Sequence, residues 1–311
     1  MFFCLTVAKK SVIVFPQIQI IFITHSSWLI LAIFPPFDHS RGLGEEEVIR
    51  KYMSKMPTLL EMLKAGAHFG HQKSRWHPKM AQYLFGSRNG VHIIDLEKSL
   101  VEMEKVYEYV KSLAANGKLI LFVGTKRQAR DIVKAAAEKC EMPYAVERWI
   151  GGLLTNFDEV KKRIKKYLQM KEEVRTGEVE KYTKKEQIEF KKELEKMDVY
   201  LSGLVKLEKM PEAIYVSDMR VEKTAIAEAQ RTGIKVVGVC DSNVNPEKAN
   251  FIIPANDDAV NAIRIIADLM AEAVNEGKKE WEKKKAEIKE EKAPVVIRKA
   301  PHRVVKKEES L

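Results

Sequence analysis

The sequence predicts a three-layer α/β/α domain on a parallel sheet, and two observations carry that expectation. Short, continuously apolar runs such as Leu119-Ile120-Leu121-Phe122-Val123 read as strands buried on both faces. Between these runs lie segments with apolar residues every three or four positions, the period of an amphipathic helix. Strands alternating with helices imply a parallel sheet with helices on both sides. In chain order, Thr58-Leu59-Leu60-Glu61 is a capping box that opens a short helix ending near Gly66. Residues 91–95 read as a strand, and 96–115 as a helix whose buried stripe is Leu100, Met103, Val106, Tyr107 and Val110. After the strand at 119–123 come a helix over 127–139 and a strand at 144–147. Residues 213–216 and 236–239 are further buried strands around a helix at 222–232, and a strand at 251–253 and a helix over 257–275 close the domain.

One insertion breaks the alternation. Phe157, Val160, Ile164, Tyr167, Lys171 and Val174 step by three and four, as do Phe190, Leu194, Met197, Leu201 and Leu204. Gly177 stands where the first helix should end, and Thr183-Lys184-Lys185-Glu186 is a second capping box. This predicts a protruding coiled-coil hairpin over 157–210, inserted between the halves of an α/β/α domain formed by 53–156 and 211–277. From 278 to 311 Lys and Glu dominate, and the sparse apolar residues cannot offset the entropy of ordering, so a charged, disordered tail is expected.

The N-terminus departs from this pattern. Ser11 to Phe37 carries no Lys, Arg, Asp or Glu, but Pro16 interrupts it and Gln17, Gln19, Thr24, His25, Ser26 and Ser27 occupy its middle. That is a poor membrane span and a poor signal peptide. Residues 1–52 are therefore read as an atypical apolar extension, a translated leader ahead of a mature start at Met53 or Met56, and no membrane is expected as a partner.

Length and charge narrow the function. With 311 residues, a net charge of +10 and a pI near 9.2, the chain can bury a large core and favours an anionic partner. Cys4, Cys140 and Cys240 form no CxxC pair, which supports neither a disulfide framework nor a cysteine zinc site, and fits a reducing cytosol. A doubly wound sheet also suits a nucleotide-dependent enzyme. Gly124-Thr125-Lys126-Arg127 offers one glycine instead of three, however, and no GxxxxGK[ST] loop occurs. Asp218 and Asp241 each follow a strand and are weak candidates for holding a divalent cation, with His71 or Asn243; helix caps or loop acceptors are the plainer reading. His68, His71 and His77 lack the spacing and fourth ligand of a zinc site. No nucleophile–base set stands out, so no catalytic residue and no cofactor is assigned.

RNA binding fits the basic and aromatic residues better. Gln72-Lys73-Ser74-Arg75-Trp76-His77-Pro78-Lys79 is polar and basic, with an aromatic able to stack on a base. Arg88-Asn89 supplies a loop for phosphate, and Lys126, Arg127 and Arg130 are expected to open a helix, whose N-terminus also favours phosphate. Lys161, Lys162, Arg163, Lys165 and Lys166 surround the hairpin's first helix near its root, while Glu172, Glu173, Glu178 and Glu180 lie towards the tip. Trp149-Ile150-Gly151-Gly152-Leu153-Leu154-Thr155-Asn156 is the most distinctive stretch, with adjacent glycines that permit a sharp turn or close approach.

That stretch, with His68-Phe69-Gly70-His71-Gln72, Trp76-His77-Pro78-Lys79-Met80 and Gly124-Thr125-Lys126-Arg127 in the same order, resembles the S-two family, a universal protein of the small ribosomal subunit, from about Met53 to Gly277. The resemblance implies a Rossmann-like, flavodoxin-like α/β/α fold with a helical hairpin. It implies no catalysis and binding of small-subunit rRNA between head and body on a cytoplasmic ribosome. It also implies neighbouring ribosomal proteins as partners, and in bacterial members, which the chain is similar to, the large S-one protein. The RNA-binding set expected on both grounds is His71, Gln72, Lys73, Arg75, Trp76, Lys79, Arg88, Lys126, Arg127, Arg148, Trp149, Thr155, Asn156, Lys161, Lys162, Arg163, Lys165 and Lys166. Gly151 and Gly152 are expected to form a structural turn. The competing classes are the nucleotide-dependent enzyme and a membrane-anchored binder.

Overall fold

A computed structural model describes residues 56–291, and upstream of them only the backbone of two antiparallel strand pairs, Cys4–Val7 with Lys10–Ile13 and Ile20–His25 with Trp28–Ile33. These pairs belong to a separate unit, Met1–Ser54. The expectation of a leader over 1–52 otherwise lies outside the described residues, as does the tail beyond 291. Among the described residues no helix is long and apolar enough to cross a membrane.

The second unit opens with α1 (Leu59–Lys64), where Thr58 and Glu61 form the expected capping box. A three-stranded antiparallel sheet follows, made of β1 (Phe69–Gln72), β2 (Leu84–Arg88) and β3 (Val91–Ile94), with β3 in the middle. The strand expected at 91–95 therefore lies outside the parallel sheet. Its hairpin turn is Asn89-Gly90, both at positive φ, as a two-residue turn between twisted strands requires.

α2 (Leu96–Ala114) then leads into the main sheet. Its elements are β4 (Ile120–Val123), α3 (Arg130–Lys139), β5 (Tyr144–Ala145), then, after the hairpin helices α4 (Phe157–Thr176) and α5 (Lys184–Leu201), β6 (Ala213–Val216), α6 (Lys223–Thr232), β7 (Lys235–Cys240), β8 (Phe251–Pro254) and α7 (Val260–Glu291). The five strands are all parallel, in the order β8-β7-β6-β4-β5. Counted along the chain this is the 2-1-3-4-5 order of a flavodoxin-like sheet, reversing between β4 and β6. Side-chain alternation divides the core into two. Ile120, Phe122, Tyr215 and Val237 face α2, α3 and α7, whereas Leu121, Val123, Ile214 and Val236 face α6 and the root of the hairpin. Those are the three layers.

The hairpin helices are α4 (Phe157–Thr176) and α5 (Lys184–Leu201). Val160, Ile164 and Tyr167 are buried as expected, but so is Met170, while Val174 and Lys171 are exposed. On α5 only Leu201 is fully buried, with Phe190, Leu194 and Met197 half-buried. Lys166 reaches Glu193 at 2.7 Å, and Tyr167 donates to Asp198, so the two helices lie side by side.

Two expectations need correction. The helix expected from 127 begins at Arg130, because Lys126–Ala129 form a turn closed by the Ala129 N–H donating to the Lys126 carbonyl at 2.8 Å. The tail expected to be disordered from 278 is helical through Glu291, as the end of α7. Packing explains this: Gly277 lies against the end of α2, where a Cβ would stand 2.4 Å from the Lys111 carbonyl oxygen. One turn on, the Trp281 ring covers Gly117, and Lys111 meets Glu280 at 3.0 Å.

Candidate nucleic-acid interface

The carboxyl ends of the parallel strands, where such sheets place their ligands, carry a dense ionic cluster. Lys126 follows β4, and its ammonium lies 3.0 Å from Asp218, 2.8 Å from Asp257 and 2.8 Å from Asp258. Burial works against its charge, but the hydrogen bonds to Asp257 and Asp258 outweigh it and hold the pKa above that of an ordinary lysine. His71 enters from β1: Nδ1 is 3.0 Å from Asp241 and Nε2 is 3.6 Å from Asp258. The hydrogen bond to Asp241 raises the pKa of His71 above the usual histidine value. Burial raises that of Asp257 to about 7, with Asp218 and Asp241 adding to the shift. The backbone N–H of His71 donates to Ser242 Oγ at 2.8 Å, so the cluster fastens the antiparallel sheet to the main one.

Lys126 and His71, both expected to meet RNA, face carboxylates inside the protein. Their charged atoms are spent on carboxylates of the same chain. Asp218 accepts from the N–H groups of Arg220 (2.7 Å) and Val221 (3.1 Å), the plainer of its two sequence readings. The trio close enough to share an ion is His71, Asp257 and Asp258, of which the sequence singled out only the histidine. At the point where strand order reverses, the Thr125 N–H donates to Glu222 at 2.8 Å, so a protein carboxylate stands where a phosphate cradle would begin. Gly124 closes the same crevice, since a Cβ there would lie 2.8 Å from Ser217 Oγ and from Val133.

The Trp149–Asn156 loop is organised from α6. Glu228 is buried and accepts hydrogen bonds from Trp149 Nε1 (3.0 Å), Gly152 N (2.9 Å), Leu154 N (3.1 Å), Thr155 N (3.3 Å) and Thr155 Oγ1 (3.3 Å). Burial pushes its pKa up, but the Trp149 bond and the three N–H groups prevail, so it ionises below the usual glutamate range. Trp149 and Thr155 are thus held by the protein itself, and the Trp149 ring sits in the core. Asn156 is exposed at the start of α4 and its side chain makes no capping bond. The glycine pair divides: Gly152 has φ +85°, while a Cβ on Gly151 would meet nothing within 4 Å. Only Gly152 needs glycine's backbone freedom.

The other expected residues lie on the surface. Gln72, Lys73, Arg75, Arg88, Arg127 and Arg148 are exposed. Trp76 is 39% exposed and tilts against His92 at 5.2 Å. Lys79 is exposed but pairs with Glu247. At the hairpin root all five cations are exposed, and they differ in partners: Lys162 meets Glu159 at 2.6 Å and Lys166 meets Glu193 at 2.7 Å. Lys161, Arg163 and Lys165 have no carboxylate within salt-bridge distance among the described residues. Glu228, Asp257 and Asp258 escaped the sequence reading: a lone glutamate in a helix and an Asn-Asp-Asp loop have no spacing signal until the fold brings their partners over.

Residues 62–277, more than half of the chain, match the family described as Ribosomal protein S2. The matched span takes in the ionic cluster, the Glu228-held loop and the hairpin. This chain belongs to the ribosomal protein S2 family.

Proposed function

We propose that the chain is a non-catalytic constituent of the small ribosomal subunit that binds rRNA between head and body, anchored by the root of its hairpin. Its family consists of structural ribosomal proteins, which supports the coarse reading. The observation that carries the finer one is the division of cations into two kinds. Lys126, Lys79, Lys162 and Lys166 are neutralised by the chain's own carboxylates. Lys73, Arg75, Arg88, Arg127, Arg148, Lys161, Arg163 and Lys165 are exposed and have no such partner among the described residues. Exposed cations free of internal partners are those that can release counterions from a phosphate backbone. A nucleotide-dependent enzyme on this sheet would need its reversal point open, and Glu222 and Gly124 fill it. In the same reading the protein works on the cytoplasmic ribosome beside neighbouring proteins, the S-one protein among them.

The test is a salt titration of binding to small-subunit rRNA. Changing Lys161, Arg163 and Lys165 to Gln keeps good helix formers, so α4 should persist. The slope of log K against log salt should flatten by roughly two units, at about 0.7 to 0.9 for each lost phosphate contact. The same change at the tip positions Lys181, Lys184 and Lys191 should flatten it by less than about one unit. An unchanged slope for the root variant would show that these three cations are only a solvated face.

A further inference from the structure

A cavity of about 390 Å³ opens beside the ionic cluster, between the segment after β1 and the loops after β6 and β7. Four cations line it: Arg75, Arg220, Lys223 and Lys248, all exposed and none with a carboxylate partner among the described residues. Its apolar lining comes from Met219 and Val244, both buried. Asn243 also lines it, and both polar atoms of its amide, Nδ2 and Oδ1, are buried with no hydrogen-bond partner in the protein. A buried amide missing both its donor and its acceptor contact is rare in a folded chain and calls for a partner. The rim is braced, since the His77 N–H donates to the Ser242 carbonyl at 2.8 Å.

We propose that this cavity takes one unstacked nucleotide of a single-stranded RNA segment, with Asn243 reading the base edge and the four cations holding the flanking phosphates. The inference rests on the RNA-binding function proposed above and names a partner element for it. The volume suits a small ligand and is far too small for a duplex. A side-chain amide presents one donor and one acceptor side by side, the pattern that pairs with the edge of a base. Met219 and Val244 offer an apolar surface to the base's flat face, and Trp76 stands exposed next to His77 for a neighbouring base to stack on. The site was invisible in the sequence because its cations come from three separated segments and none of Arg220, Lys223 or Lys248 lies in a basic run.

The experiment measures binding of the full chain to a short single-stranded RNA, to the same RNA annealed to its complement, and to adenosine monophosphate, alongside binding to small-subunit rRNA. The single strand should bind at least about tenfold tighter than the duplex, and Asn243→Leu should weaken it by about tenfold, the loss of one bidentate base contact. Removing an unpartnered buried amide should not destabilise the fold, which thermal melting checks. If Asn243→Leu nevertheless fails to fold, the surface pair Arg220→Gln with Lys248→Gln decides, and should flatten the single-strand salt slope by about 1.4. Equal binding by the folded Asn243→Leu variant, equal affinity for duplex, or a mononucleotide bound as tightly as the strand would each overturn the proposal. Wild-type protein that binds rRNA but not the short strand would overturn it while leaving the RNA-binding function standing. Failure to bind rRNA at all would remove both.

Discussion

Glu228 holds the Trp149–Thr155 loop from a helix more than seventy positions further along the chain. Five donors converge on one buried carboxylate, so the loop's shape depends on a residue that its own sequence does not contain. The glycines beside it were legible as a turn, but which one needs to be glycine was not, because φ depends on where the loop is tied. Gly152→Ala should destabilise the protein by about 1–2 kcal/mol, the cost of a left-handed backbone with a Cβ. Gly151→Ala should stay within about 0.5 kcal/mol of wild type. Denaturant midpoints compare the two, and an equal loss at both positions would contradict the assignment. His71 gives the pH dependence. Its folded pKa is raised, so its contribution to stability is fully present below about pH 6.5, the ordinary histidine value, and is lost as pH rises through the folded value. NMR titration should find His71 above that ordinary value in the wild type and closer to it in Asp241→Asn. A wild-type His71 that titrates at or below about 6.5 would show that the Asp241 contact does not form.

Among the elements, those buried on both faces were the most legible. Leu119–Val123 and 213–216 read as strands because a parallel sheet covered on each side leaves no polar alternation. β1 and β2 leave little trace in the sequence because they are short, largely exposed and glycine-containing, and because reading Arg88-Asn89 as a loop for phosphate passes over the hairpin signal in Asn89-Gly90. The end of α7 was missed for the opposite reason. Its composition is that of a disordered tail, but Gly277 and Trp281 pack against α2 and Gly117, and Lys278 and Glu280 pair with Glu141 and Lys111. Gly277→Ala separates the two effects. Helix propensity alone would favour alanine by about 1 kcal/mol. A Cβ there meets the Lys111 carbonyl at 2.4 Å and the Ala114 Cβ at 2.5 Å, so the variant should instead be less stable by about 1–3 kcal/mol. A stabilised variant on thermal or denaturant melting would mean that the close packing of α7 on α2 is not real.

For the molecule as a whole, the sheet's 2-1-3-4-5 order brings a reversal point that enzymes of this layout use for ligands, and this chain closes it with Glu222, Gly124 and the Lys126 cluster. Among the described residues, Lys73, Arg75, Arg88, Arg127, Arg148, Lys161, Arg163 and Lys165 remain exposed without a carboxylate partner, on a chain of net charge +10. The fold class and the anionic partner could both be read from the sequence. Which lysines and histidines are neutralised within the chain could not, because that depends on which carboxylates fold over them. The sequence offers a basic set of candidates, and the fold sorts them into paired and unpaired cations. The proposed function requires that this surface dock the protein on the small ribosomal subunit. Co-sedimentation through a sucrose gradient at moderate salt tests it most directly, with the native protein followed across the fractions. The protein should travel with small subunits and be released as salt is raised; recovery only in the ribosome-free fractions at moderate salt would contradict this docking.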